Sequence, residues 1–406
     1  MSRTYSRLSE KLILASLIAS VGLGRWGSYL GLPAYNLFLI DILFFSGTLF
    51  GFLGFGRRFK GSAFFTISIL VFMLFQLIRD SEVDLILVAR DLLPFIYLLC
   101  VPACVYALRN TPDVVIIKSL RYASTLNLAW FLPSSLGLLA PISISAISPI
   151  PLFTERADQS GIAMGIGVLA WSAFPSLRIT SNPMLIGLCV FAAAVGRSRA
   201  GLFTCLLALL LHFFFKKEVY AKSKRIERFV AIVTFTVAAF LLFFGSQSRF
   251  VSDGNSSLVR SGIIGNNQES VEGGRSTTRA RYMAAKTLIK WVEENNLQFF
   301  GAGAGREIIL ESGAIVYLSG NPDVRAPHNW FVGLYSRFGV LGLLFWCTLY
   351  GQVLVLGRKN VGQVQQMLKA IILIICFCSS LGVIMESPFG ALPIAIASAM
   401  YIRRSP

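Results

Sequence analysis

Apolar runs long enough to carry a helix across a bilayer recur along almost the whole of this 406-residue chain. Matched against the ~20 residues that a membrane core needs, the chain reads as about twelve spans. They fall roughly at 11–29, 35–56, 62–78, 92–108, 122–141, 162–177, 182–196, 200–215, 229–246, 330–356, 367–384 and 388–402. No water reaches backbone N–H and C=O groups in the bilayer core, so each span must satisfy its own. The runs are helix-length, not the ~10-residue alternating segments of an outer-membrane barrel. The expected fold class is therefore all-α, a polytopic membrane protein forming a single membrane domain over residues 1–406. The short runs at 182–196, 200–215 and 388–402 fit re-entrant segments, or helices whose flanking Arg and Lys reach the interface. Hydrophobic residues make up 55% and charged ones 14%, proportions foreign to a soluble domain of this size. Leu12 to Gly24 leads into Arg25-Trp26 with no small-residue cleavage site, so the first span is expected to be retained.

Lys and Arg number 37 against 20 Asp and Glu, a net charge of +17. In a soluble chain that excess would point to nucleic acid. Here no basic-aromatic surface stands apart from the membrane pattern, so membrane lipids, not nucleic acid, are the expected partner of the charge. An N-terminus with Arg3, Arg7 and Lys11 in the cytoplasm puts Arg57-Arg58-Phe59-Lys60, Arg109/Lys118/Arg121, the 216–228 segment, Arg358-Lys359 and Arg403-Arg404 on the same side. That obeys the positive-inside rule and makes both termini cytoplasmic. The cysteines all lie inside apolar runs, with no zinc spacing and no disulfide framework, so neither a metal nor a redox cofactor is expected.

The same threading places one long loop, 247–329, outside. Its first third, Asp253 to Gly274, is rich in Gly, Ser and Asn and reads as mobile. Ser276-Thr277-Thr278 offers an N-cap, after which Arg279 to Glu294 reads as a short helix. Arg279, Lys286 and Lys290 fall on one face of it and Ala285, Leu288, Ile289 and Val292 on another. Arg281 projects toward the apolar side, and from Arg275 to Lys290 there are five basic residues and no acid. Gly301-Ala302-Gly303-Ala304-Gly305 lacks the strand–turn–helix setting of a nucleotide loop and reads as a flexible turn. The loop ends at Pro327-His328-Asn329, and the chain has only two histidines. The other, His212, reads as structural or interfacial. Asp41, within a span, reads as one end of a buried hydrogen bond.

Further charges stand at expected outer ends of spans: Arg90-Asp91, Arg156-Ala157-Asp158 and Arg197-Ser198-Arg199. A charge at membrane depth is costly and usually faces a cavity or a partner. Arginine's planar fork suits phosphate at any pH. A diphosphate leaving group gains negative charge as its bond breaks, and fixed cations lower that barrier. An acceptor hydroxyl must lose a proton, which an imidazole can take. The set therefore suits group transfer from a lipid diphosphate to a hydroxyl without a metal. It also suits a transporter for an anion or a lipid-linked sugar, although no internal repeat supports that.

Three patterns occur in order: Gly196-Arg197-Ser198-Arg199-Ala200-Gly201, then Thr278-Arg279-Ala280-Arg281-Tyr282 with Phe300-Gly301-Ala302-Gly303-Ala304-Gly305, then Pro327-His328-Asn329 with Phe338-Gly339-Val340-Leu341-Gly342. Together they resemble the O-antigen ligase and O-antigen polymerase family of bacterial envelope glycosyltransferases, closely over 190–345. The resemblance implies a metal-independent, inverting enzyme without a cofactor, in the bacterial inner membrane with its site facing the periplasm. Its donor would be an undecaprenyl-diphosphate-linked glycan. The acceptor would be another glycan, making the chain an O-antigen or exopolysaccharide polymerase, or lipid A core, making it a ligase. The absence of an added basic outer surface for a phosphorylated core leans towards polymerase. By the same resemblance His328 is the base, Arg199 or Arg197 binds substrate, and Arg279 does so from the loop helix, with Arg275 and Arg281 as competitors. Arg156 and Arg90 complete the expected diphosphate- and substrate-binding set, and the loop helix is expected to act as a lid.

Overall fold

The computed structural model describes residues 2–32, 37–54, 60–154, 156–172, 174, 177–196, 198–216, 268–318, 327–357, 362–382, 384–385 and 388–403. The span expected at 229–246, the basic segment 217–228, and residues 253–267 of the outer loop lie outside the described residues. Those described are overwhelmingly α-helical: α1 (Ser2–Ser28), α2 (Leu39–Gly54), α3 (Lys60–Arg79), α4 (Leu85–Leu99), α5 (Val101–Leu108), α6 (Asp113–Ser135), α7 (Ala157–Ala170), α8 (Pro183–Val195), α9 (Arg199–Lys216), α10 (Gln268–Glu294), α11 (Ile308–Glu311), α12 (Trp330–Gly357), α13 (Gln363–Leu381) and α14 (Pro388–Ile402). The only strand pair among them is Gly31–Leu32 with Leu37–Phe38, antiparallel.

Among the described residues, three stretches are long and apolar enough to cross a membrane alone: Leu85–Leu108, which α4 and α5 share, α12 and α13. This is an integral membrane protein. Other apolar helices are shorter, as at Pro183–Val195 and Arg199–His212, so the dozen full-length spans of the sequence reading are not established. Boundaries differ as well. Pro112 opens α6 at Asp113, nine residues ahead of expectation, because a proline's fixed φ and missing N–H suit a helix start. Lys118 and Arg121 are thereby helical. Arg121 donates to the carbonyls of Ala170 (2.8 Å) and Thr180 (2.9 Å) and lies 4.3 Å from the Trp171 ring, clasping the connection between α7 and α8. The pairing foreseen for Asp41 is present: it accepts the Tyr97 hydroxyl.

One apolar core runs through α1 to α9 and α12 to α14. A second, small one forms under α10, where fully buried Ala284 and Leu288 pack on Ile308, Ile309 and Ala314. α10 itself starts at Gln268, not Arg279, and runs straight through the Ser276-Thr277-Thr278 cap signal.

Two helices are broken at glycine. α1 breaks at Gly24 (φ 62°), a left-handed conformation that glycine adopts without strain. Carbonyls near the break are served by α6: Asn127 Nδ2 donates to Val21 O (3.0 Å) and Trp130 Nε1 to Gly22 O (2.8 Å). α12 breaks at Gly339 (φ 67°), and here the loop 298–303 makes the repair. Ala302 and Gly303 donate to the Ser336 and Arg337 carbonyls (2.8 and 2.9 Å), while Val340 and Leu341 donate to Gln298 and Phe299 (2.8 and 3.3 Å). A Cβ on Gly339 would stand 2.2 Å from the Phe299 oxygen. The segment 301–305 is thus stitched to a transmembrane helix and is not the flexible turn expected.

Candidate active site

His328 stands two residues before α12, which opens at Trp330. Asn329 caps that helix, its Oδ1 accepting from the amides of Phe331 (3.0 Å) and Val332 (3.2 Å). His328 is left in a left-handed conformation (φ 55°). Histidine tolerates that region better than most residues, yet such strain persists only where surroundings impose it. Buried Pro327 on one side and Trp330, 4% exposed, on the other hold the turn.

Burial lowers the imidazole's affinity for a proton, and the cations of Arg281 and Arg156 lower it further, against an opposing pull from Asp158. Its pKa falls from 6.5 to about 4. The imidazole is therefore neutral at pH 7. Three separate elements converge here. α10 contributes Arg281, whose guanidinium donates to the Leu381 carbonyl at 3.3 Å, the C-terminal end of α13. A helix C-terminus carries partial negative charge and suits a cation. The start of α7 contributes Arg156 and Asp158, paired at 3.2 Å. Cys378 of α13 contacts the Asp158 carbonyl (3.6 Å), tying the same two helices together.

A fourth element is one the sequence reading missed. Past the Gly24 break, Arg25 comes within electrostatic reach of Arg156 and Asp158. Its neighbour Trp26 packs edge-on against Phe153 (5.3 Å) and Trp130 (6.0 Å), which anchors the end of α1 beside the start of α7. The signal was present, since Arg25 directly follows a glycine inside an apolar run, but it reads equally as the end of a span. Gln159 was also missed. It is 5% exposed beside Asp158, and neither its amide oxygen nor its nitrogen has a partner. Buried amides are normally satisfied, so one left open next to clustered charges is ready for a polar ligand.

The remaining expected residues are placed as follows. Arg199 opens α9, half-buried. α9 meets α7 backbone to backbone there, because a Cβ on Gly161 would fall 2.1 Å from Gly201 Cα. Arg279 is exposed on α10, and of the loop-helix arginines it is Arg281 that bonds α13 and acts on His328. Arg275 belongs to α10, its side chain outside the described part of the structure, and Arg197 lies outside the described residues altogether. Arg90 belongs to a different set. It approaches Asp91 at 3.4 Å, and Asp91 in turn accepts from buried Arg337 Nε (2.8 Å) and from the Gly305 amide (2.8 Å). Alongside, Asp80 accepts from the Ala304 amide (2.7 Å) and pairs with Arg79 (3.0 Å), which donates to the Phe300 carbonyl (2.6 Å).

Residues 184–347 match the model of a protein family described as O-Antigen ligase. The match covers less than half of the chain. The matched stretch holds Arg199, Arg279, Arg281, His328 and the Gly301–Gly305 loop. Arg25, Arg156 and Asp158 join it from outside. No curated protein matches the chain. This similarity supports glycosyl transfer of the O-antigen ligase or polymerase type in a membrane setting.

Proposed function

We propose that the chain is a bacterial inner-membrane glycosyltransferase that moves a glycan from an undecaprenyl-diphosphate-linked donor to a sugar hydroxyl at the periplasmic face. The observation that carries this reading is the meeting of a neutral imidazole with arginines from two other elements, Arg281 and Arg156, at one end of the bundle. The family similarity supports the same chemistry. The arginines hold the diphosphate, with Arg25 and Arg199 nearby and Arg279, Arg275 and Arg197 as further cations of the same elements. His328 takes the acceptor's hydroxyl proton as that oxygen attacks the donor's anomeric carbon. The carbon–oxygen bond to the diphosphate breaks on the opposite face, its electron pair leaves on the diphosphate, and configuration inverts. Fixed guanidinium charges stabilise the leaving group, which is the work a metal would otherwise do. α10 covers the site as a lid.

One consequence sharpens the reading. In the free enzyme the arginines keep His328 a weak base. A bound diphosphate cancels part of their field, so the imidazole gains basicity in the complex where it is needed. The acceptor is a lipid A core or a second lipid-linked glycan. The test is glycan transfer by purified protein in nanodiscs, from an undecaprenyl-diphosphate oligosaccharide with EDTA present, with and without lipid A core. A ladder from donor alone marks a polymerase, and a single shift that requires the core marks a ligase. Full activity in His328→Ala, or flux of donor across the bilayer without transfer, would replace the reading with a transporter.

A further inference from the structure

A cleft of about 520 Å3 opens between α3 and α12, a volume in the range of small-ligand sites. Ile67, Val71 and Phe75 form one wall at four-residue spacing, so the cleft follows the helix axis of α3, and Phe338 and Phe345 of α12 face them. The α3 wall stays open, with Val71 61% and Phe75 44% exposed. One end closes at Phe300, whose carbonyl is held by Arg79, and the Arg79 guanidinium lies 5.9 Å from the Phe75 ring. The cleft therefore runs from a charged layer into the apolar depth of the bundle, the geometry of a lipid chain below its head group.

Gln76 makes the cleft more selective than its shape. It lines the cleft, is 2% exposed, and its side-chain oxygen accepts no hydrogen bond. A buried acceptor left without a donor is destabilising. Plain hydrocarbon filling the cleft would bury that oxygen further without satisfying it. A polyisoprenyl tail carries no hydrogen-bond donor along its length, so it fits the walls and fails the floor.

We propose that this cleft binds an acyl chain of a lipid acceptor, a chain that carries a hydroxyl or amide N–H donating to Gln76 Oε1. The chain lies along Val71 and Phe75, and the polar substituent is buried at Gln76. The head group then sits at the charged layer, at the same end of the bundle as His328. The chain's role as acceptor rests on the transferase reading above, whereas its binding does not.

The experiment is a competition read by native mass spectrometry on the purified full chain in detergent. The probes are phosphatidic acid with two 3-hydroxyacyl chains and phosphatidic acid with matched unsubstituted chains, with undecaprenyl phosphate as a third competitor. Wild type is expected to retain the hydroxylated lipid roughly threefold to tenfold more, the worth of one net hydrogen bond. Gln76→Leu is expected to remove that preference while leaving the unsubstituted lipid bound. Val71→Trp, at an exposed position, is expected to fill the cleft and lower retention of both. No preference in wild type overturns the proposal, as does a preference that survives Gln76→Leu. Stronger retention of undecaprenyl phosphate than of either lipid would assign the cleft to the donor instead. Because binding is read without catalysis, loss of transfer alongside an intact lipid preference would sink the transferase reading and leave the cleft standing. Melting curves of the Gln76→Leu protein control for folding, since removal of an unsatisfied buried oxygen leaves the fold intact or firmer.

Discussion

Around Asp91 every described charge meets its opposite inside the protein, while around His328 the described arginines outnumber the one acid. Asp91 receives Arg337 and a backbone amide, with both side chains at most 5% exposed, and Asp80 is bound in the same manner. His328 instead lies in the field of Arg281 and Arg156 against Asp158 alone. The first arrangement closes on itself and pins the broken helix α12 to the loop 298–305. The second gathers side chains from three elements around an imidazole. Two clusters at one end of a bundle can both be rich in Arg and Asp, and only the pairing tells a structural lock from a site.

The comparison breaks if substitutions in the two clusters behave alike. The largest effect is expected from His328→Ala, which should lower transfer by roughly 10²–10⁴-fold, the usual contribution of a positioned base, with an unchanged melting temperature. Asp91→Ala should do the reverse. It strands a buried guanidinium, at a cost of about 3–5 kcal/mol, so folded yield and melting temperature should collapse. A stable but inactive Asp91→Ala protein would move Asp91 into the site.

Smaller effects sharpen the picture. Arg281→Gln should raise the His328 pKa from about 4 towards 6.5, measured by NMR titration in a His212→Gln background. The acid limb of kcat/KM should follow it upward, and in wild type the limb of kcat should lie above that of kcat/KM. The same depressed value bears on stability. The unfolded chain takes up the proton first, so the His328 contribution is neutral above about pH 6.5 and destabilises as the pH falls towards about 4. Arg281→Lys should raise the donor KM by about tenfold through loss of the guanidinium fork, whereas Arg279→Lys should change it little. Gln159→Leu should leave stability equal or higher by about 1 kcal/mol. A rise in acceptor KM in that variant, at constant kcat, would make its amide a sugar contact.

How much of this was legible follows from the reach of each signal. Helix positions were readable because bilayer-length apolar runs leave the backbone one way to satisfy itself. Helix ends were less so. The α10 start was misplaced because Ser276-Thr277-Thr278 is a strong local cap signal that the helix runs through, and the α6 start because the span was placed by its apolar run. His328 was legible as a titratable group at the mouth of a span. The choice among Arg275, Arg279 and Arg281 was not, since residues four and two apart on one helix differ by direction, and direction has meaning only against α13. The flexible reading of Gly301–Gly305 failed for a similar reason. Glycine runs signal freedom locally, yet here the amides of 302 to 305 are each claimed by a residue far along the chain.

The sequence by itself determined that the chain is a helical membrane protein, that its chemistry must be built from arginine and one histidine, and where along the chain those residues lie. Periodicity and composition are local properties, and the bilayer admits few answers to them. Only the tertiary structure decided which arginines lie near His328 and which bond Asp91 or Asp80, that Arg25 lies near residues more than a hundred positions away, and that Gln76 is buried without a donor. Those facts depend on two glycine breaks turning helices toward partners distant in sequence. The partners for a broken helix are chosen by packing, which no local pattern encodes.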